Sequence, residues 1–294
     1  MSLNDMSIDT MKHLSAYDLE ASPMTQADVP RLHELSVSVS WPHRAEDWAM
    51  LLNHGHGIVA RDEIGRVVGS AMWFALTPAH AHVGMVITSP RLQSHGTGYW
   101  LMQHVFDQVG DASLVLNATR AATRLYISLG FTPVAPVYQH NGIVTRLPDG
   151  PDYARSATPA DHAALHALDR NAIGADRRML INDLLASATA TVVENNDGTV
   201  RGFALCRRFG RGHVVGPLVA ENENDAIALV RPHIEAHQGR FLRLDTREDD
   251  GVLRRFLVQS GLAHYDTVTR MRWGALPVEG GPARTMGLVS QALS

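Results

Sequence analysis

The order of strand and helix patterns predicts an α/β fold. Two tandem copies of one domain are expected, each a mixed, mostly antiparallel sheet flanked by helices. Two observations carry this reading. The first is an internal repeat. Residues 21–35 and 154–168 align without a gap, matching Thr25/Thr158, Ala27/Ala160, Asp28/Asp161, Leu32/Leu165, His33/His166 and Leu35/Leu168. The same spacing later pairs Gly65/Gly198, Val67/Val200, Gly69/Gly202 and Ala71/Ala204. The second is the seam "RLPDGPDYARS" at residues 146–156, whose Pro and Gly content suits a linker. The copies are expected at 1–150 and 151–275, followed by a tail at 276–294.

Each copy reads in the same order. A short strand enters a helix through Thr-x-Ala-Asp at Thr25, or Thr-Pro-Ala-Asp at Thr158. Threonine suits an N-cap because its oxygen accepts from a free helical N–H, and Pro159 suits the first turn. A second helical pattern covers 44–55 and 176–187. A hairpin follows, with strands at 57–62 and 66–76 in one copy and 190–195 and 199–208 in the other. Asp-Glu-Ile-Gly and Asn-Asn-Asp-Gly supply the turns. Another strand (82–88; 212–220) leads to a helix (97–109; 223–237). A strand rich in Leu and Val (113–118; 241–246) leads to a short helix ending in Leu-Gly-Phe or Ser-Gly-Leu. Final strands are expected to close each copy. The tail from residue 275 reads as coil, either unordered or packed back on the first copy.

A length of 294 residues accommodates two ordinary domains, and an apolar fraction of 45% fits a protein with a real core. The net charge is −4 and no Lys/Arg block occurs, which argues against a nucleic-acid partner. No apolar run approaches the ~20 residues a membrane span requires, and the N-terminal stretch lacks the signal-peptide pattern. The single cysteine, Cys206, excludes an internal disulfide and a Cys-based zinc site. These features suggest the cytoplasm. The tight histidine groups, "HGH" at 54–56 and "HAH" at 80–82, lack the context of a metal site, so no metal is expected.

The stretch "SPRLQSHGTG" at 89–98 lies between a strand and a helix. A helix N-terminus offers unpaired N–H groups and partial positive charge, and glycine lets a pyrophosphate approach closely. On spacing alone, a tight turn explains it equally well. The pattern Thr88-Ser89-Pro90-x-x-Gln93-x-x-Gly96-x-Gly98 resembles motif A of the GCN5-related N-acetyltransferases, with threonine where the family has valine. "TRAATRLYISLGF" at 119–131 is similar to a second motif of that family. Ala122, Leu125, Tyr126, Gly130 and Phe131 match, while Thr119 replaces the usual asparagine.

The resemblance implies an N-acetyltransferase that uses acetyl-CoA. Gln93, Ser94, His95, Gly96, Thr97 and Gly98 would hold the pyrophosphate, and the backbone of Ile87 and Thr88 would pair with the pantetheine arm. Tyr126 would protonate the leaving thiolate; its bland alternative is a core tyrosine. His82 is the candidate general base, in competition with His43, Asp47 and a water chain. Trp41 and His43, in the segment between the first two helices, are candidate acceptor contacts.

The second copy has no glycine in the corresponding loop. It carries Glu221 and Glu223 at the helix start and Leu257 opposite Tyr126. The first copy is therefore expected to react and the second to pack, walling the acceptor pocket. The expected partner is a small-molecule amine, and the chain a monomer or homodimer. Other readings are a non-catalytic acyl-CoA-binding or sensor module, an oligomerisation protein, and a Rossmann-type nucleotide domain. The last is disfavoured because the loop follows the fourth strand of its copy rather than the first.

Overall fold

The computed structural model describes residues 10–13, 18–93 and 95–293. The first copy comprises β1 (Met11–His13), β2 (Asp18–Pro23), α1 (Val29–Ser38), α2 (Ala45–His54), β3 (His56–Asp62), β4 (Val67–Thr77), β5 (His80–Thr88), α3 (Thr97–Val109), β6 (Ser113–Ala118), α4 (Thr123–Ser128) and β7 (Thr132–Ile143). The second comprises β8 (Arg155–Ser156), α5 (His162–Ile173), α6 (Arg178–Leu185), β9 (Thr189–Glu194), β10 (Val200–Phe209), β11 (Gly212–Ala220), α7 (Glu223–Ala236), β12 (Phe241–Thr246), α8 (Val252–Gln259) and β13 (Ala263–Trp273). A last strand, β14 (Arg284–Gly287), lies in the tail.

The repeat survives in local chemistry. The Asp28 carboxylate accepts from the Thr25 backbone N–H at 2.9 Å, and Asp161 accepts from Thr158 at 2.7 Å. Both aspartates also pair with an arginine, Arg61 and Arg155 respectively. Gly65 and Gly198 hold the two hairpin turns at φ of 77° and 81°, a left-handed conformation that costs glycine little.

All the described strands join one mixed sheet, ordered β1-β2-β3-β4-β5-β6-β13-β7-β12-β14-β11-β10-β9-β8. This corrects the expectation that final strands close their own copies. β13 pairs with β6 of the first copy, and β7 pairs with β12 of the second. The two exchanged strands also pair with each other, Val137 facing Val268. At 12 and 11 residues they are long enough to reach the partner copy while lying side by side. The exchange leaves neither as an open edge.

Helices α1, α2, α5 and α6 share one core, in which Leu32, Leu35 and Trp48 join Leu165, Ile181 and Leu184. Two further cores are separate. One lies under α3 and α4, around Leu101, Val105, Tyr126 and Phe131. The other lies under α7 and α8, around Leu229, Val230, Leu253 and Phe256. The tail is ordered and threads between the copies. Met286, Leu288, Val289, Ala292 and Leu293 are all buried, Leu288 against Val137 and Val268.

Candidate active site

In the first copy, β5 and β6 run parallel and pair from His80↔Ser113 to Val83↔Leu116. β5 then continues as Gly84–Thr88 while β6 diverges, and no described strand fills the fork. An irregular register with β4 between Ser70 and Met72, and φ of 52° at Met85, bend β5 at this point. Ile87 and Thr88 lie along the diverging arm.

The glycine loop stands at the fork's open end. Gly96 begins α3 at φ of 73°, and no side chain among the described residues caps the helix. A Cβ on Gly98 would lie 3.0 Å from Leu125 and 3.7 Å from the Thr88 hydroxyl, so its absence keeps a narrow space clear. Gln93 is exposed, and its amide donates to the Thr88 carbonyl at 3.5 Å. His95 is exposed, its Nδ1 2.8 Å from the Gln93 carbonyl oxygen. Thr97 is buried, its hydroxyl without a partner among the described residues. Ser94 lies outside the described residues. Lys12, the only lysine in the sequence, sits with its ammonium 3.5 Å from where a Gly96 Cβ would be. Backbone donors, open space and a cation together fit a pyrophosphate.

Tyr126, on α4, is buried against Phe131 with ring centroids 5.6 Å apart. Burial pushes its phenol above the ordinary range, so it stays protonated.

Across the sheet from α3, a cavity of about 280 Å³ meets the inner end of the fork at Gly84, Met85, Asn117 and Thr119. The α1–α2 connection contributes Trp41 and His43. The second copy contributes Phe209 and Gly210 from its β10–β11 turn and Arg243 from β12. The tail supplies Gln291 and Ala292. The Asn117 amide donates to the Gln291 carbonyl at 2.8 Å, fastening the tail to β6. The His43 ring meets Phe209 edge-on, 5.3 Å between centroids. Burial, then the charges of Arg243 and Arg207, push its imidazole down to about 4 despite Asp47. His43 is thus neutral near pH 7.

Asp47 is committed elsewhere. Burial works to raise its carboxyl, but Arg44 and the Gly210 N–H, at 3.0 Å, hold it below the ordinary value. His82 lies two residues before Gly84, about 7 Å along an extended strand. It does not line the 280 Å³ cavity but a neighbouring one with Arg177 and Leu293. Burial first, then Arg177, Arg270 and Arg247, push its imidazole well down. The fold thus brings Trp41 and His43 together and sets His82 apart.

The second fork differs at each point. β11 and β12 pair only at His213↔Leu242 and Val214↔Arg243, and β14 then fills the gap. β14 pairs with β11 through Leu218↔Gly287, Val219↔Thr285 and Ala220↔Arg284, and with β12 through Thr246↔Gly287. The Asn222 side chain caps α7, accepting from the Asp225 N–H at 2.9 Å. The Glu223 carboxylate accepts from the Leu253 N–H at the start of α8, at 2.7 Å. Sequence reasoning found the missing glycines here but missed the strand. It also missed Lys12, Phe209, Arg243 and Gln291, which no local motif marks.

Among the described residues, no group of three or more His, Cys, Asp and Glu side chains could hold a metal ion. No described helix is long and apolar enough to cross a membrane.

Two family profiles, both described as acetyltransferase (GNAT) domain, match residues 31–146 and 165–281. An uncharacterized N-acetyltransferase of Bacillus subtilis, YitH, is 24% identical over 279 residues, covering 90% of this chain and 97% of YitH. A Pyrococcus horikoshii protein provisionally named an acetyltransferase superposes with a TM-score of 0.77 at 16% identity, covering 96% of this chain and 98% of its own. A tandem GNAT protein from the clavulanic acid biosynthesis pathway gives a TM-score of 0.66 at 15% identity, covering 87% and 98%. The chain therefore belongs to the GCN5-related N-acetyltransferases, as an acyltransferase built from two such domains.

Proposed function

We propose that this enzyme transfers an acetyl group from acetyl-CoA to the amine of a small molecule, with the first copy, residues 1–150, carrying the reaction. The observation behind this is the difference between the forks. In the first no described strand lies between the diverging β5 and β6, and the inner end of the gap meets a cavity, whereas the second is filled by β14. The second copy, residues 151–275, walls the acceptor cavity, and the tail at 276–294 completes it.

Each step has a group suited to it. The α3 N-terminus, Gly96, Gly98 and Lys12 would hold the pyrophosphate, with Gln93, Ser94, His95 and Thr97 around it. The free edge of β5 at Ile87 and Thr88 would hydrogen-bond the pantetheine arm as an added strand does. The arm would then point the thioester toward the 280 Å³ cavity. There the amine nitrogen attacks the carbonyl carbon, giving a tetrahedral intermediate. His43, neutral and next to Trp41, takes the amine's proton directly or through water. The C–S bond breaks as Tyr126 gives its proton to the thiolate. His82 is left out of this path because it faces another cavity.

The test is thiol release from acetyl-CoA across a panel of small amines, alongside calorimetry with coenzyme A. Amine-dependent thiol release and one coenzyme A per chain are expected. Binding without release for any amine would leave only a binding module, and two coenzyme A per chain would overturn the assignment of the active copy.

A further inference from the structure

The segment between β13 and β14, residues 274–283, straps across the α5–α6 side of the second copy. The Gly280 N–H donates to the Asn171 carbonyl at 2.8 Å, and Val278 crosses close over Gly174. The strap reaches toward two arginines with one carboxylate. Glu279 Oε1 lies 3.6 Å from Arg247 and 3.6 Å from Arg270, beyond good hydrogen-bond length for both. The arginine side chains are only 14% and 10% exposed, while Glu279 is 40% exposed.

The cluster is under-satisfied. Nε and Nη2 of Arg247, Nε of Arg270 and Nδ1 of His82 are buried without partners among the described residues. His82 is 2% exposed and lines a cavity of about 430 Å³ together with Arg177. Arg177 is served by Asp169 at 2.7 Å and by the Leu293 carbonyl. Arg247 and Arg270 are left sharing Glu279. Burial first, then the charge of Arg270, pushes Arg247 down to about 10. Two buried guanidinium groups with a single loosely held carboxylate lack one negative charge, and orphaned N–H groups nearby lack acceptors. A compact oxyanion would supply both.

We propose that Arg247 and Arg270, with His82 beside them, form a binding site for a small oxyanion, a carboxylate or phosphate group, with Glu279 on the strap as its internal competitor. The site lies where the exchanged strand β13 joins β6 and β5 of the first copy, Arg270 facing Asn117 across the pair, and none of Arg247, Arg270 and His82 lines the acceptor cavity. It does not depend on which copy reacts. Glu279 is 40% exposed and loosely held, so its side chain can turn toward solvent while the strap stays fastened at Gly280.

The experiment is titration with inorganic phosphate and, separately, malonate, followed by calorimetry and thermal unfolding. Saturating coenzyme A is present throughout, so that the glycine loop is not the reporter. Saturable binding with a raised Tm is expected. Glu279→Gln should bind about tenfold more tightly, because the competing state is removed. It should also unfold earlier in anion-free buffer and recover when the anion is added, which loss of a merely structural contact would not produce. Arg247→Met should bind neither anion. A response to phosphate alone assigns a phosphate ester, and a response to malonate alone a carboxylate. Absence of saturable binding in both wild type and Glu279→Gln overturns the proposal, as does full binding in a folded Arg247→Met.

Discussion

The two copies keep the same frame and treat the fork within it in opposite ways. In the first, β5 and β6 part and leave a gap bounded by an uncapped helix, two glycines and a lysine. In the second, the gap and the helix N-terminus are both filled from within. β14 occupies the gap, Asn222 caps α7, and Glu223 serves the N–H at the start of α8. A buried backbone edge and a helix N-terminus must find hydrogen-bond partners either way. Which groups a protein satisfies from within, and which it leaves for something from outside, separates the two halves.

Four experiments break or sharpen that comparison. The largest effect belongs to Tyr126→Phe, expected to lower kcat about 10³-fold while coenzyme A affinity is unchanged. The phenol's raised value keeps it protonated up to that value, so no alkaline loss from this group is expected below pH 10. A kcat within a few-fold of wild type would leave Tyr126 as a core residue. Met286→Ala, at a fully buried position of the plug strand, should cost about 3 kcal/mol in urea unfolding through the cavity it leaves. Coenzyme A should still bind at one per chain, and a second site appearing in this variant would mean that β14 alone had closed the second fork.

Gly96→Val forces a branched side chain into a left-handed position beside Lys12, and coenzyme A affinity should fall about 100-fold. Unchanged affinity in calorimetry would reduce the loop to a turn. The smallest effect concerns acid stability. His43 is pushed down to about 4 in the fold from 6.5. Below 6.5 the unfolded chain binds a proton that the native state refuses, so stability should fall as pH drops from about 6.5 toward 4. His233, also pushed down to about 4, adds to the same slope. His43→Gln should flatten part of it in unfolding curves at pH 7 and pH 5, and an identical slope would show that His43 is not held neutral.

Much of the frame was legible because it rests on local rules. The helix at 97–109 and the strands at 113–118 and 241–246 fall where turn residues and apolar spacing put them. The strand exchange was not legible, since β7 and β13 carry the same alternating pattern whichever neighbour they choose. The tail was misleading for a related reason. Its Gly and Pro content reads as coil, yet Met286 and Leu288 are fully buried by partners far away in sequence. Trp41 and His43, which both line the candidate cavity, were legible together because they sit in one short segment. Phe209, Arg243 and Gln291 reach the same cavity from three distant segments, a convergence that only the fold creates.

The exchange of β7 and β13 also bears on how two such halves can come to differ. If two separate, identical subunits traded these strands, every change in one would be written into the other, and a lost glycine would be lost from both. Joined in one polypeptide, the halves can mutate separately. The exchange also means that neither half can be discarded, because the second holds a strand of the first copy's sheet and lines part of the cavity beside it. Specialisation and mutual dependence are thus inherited together, and deleting either half should leave no working remainder.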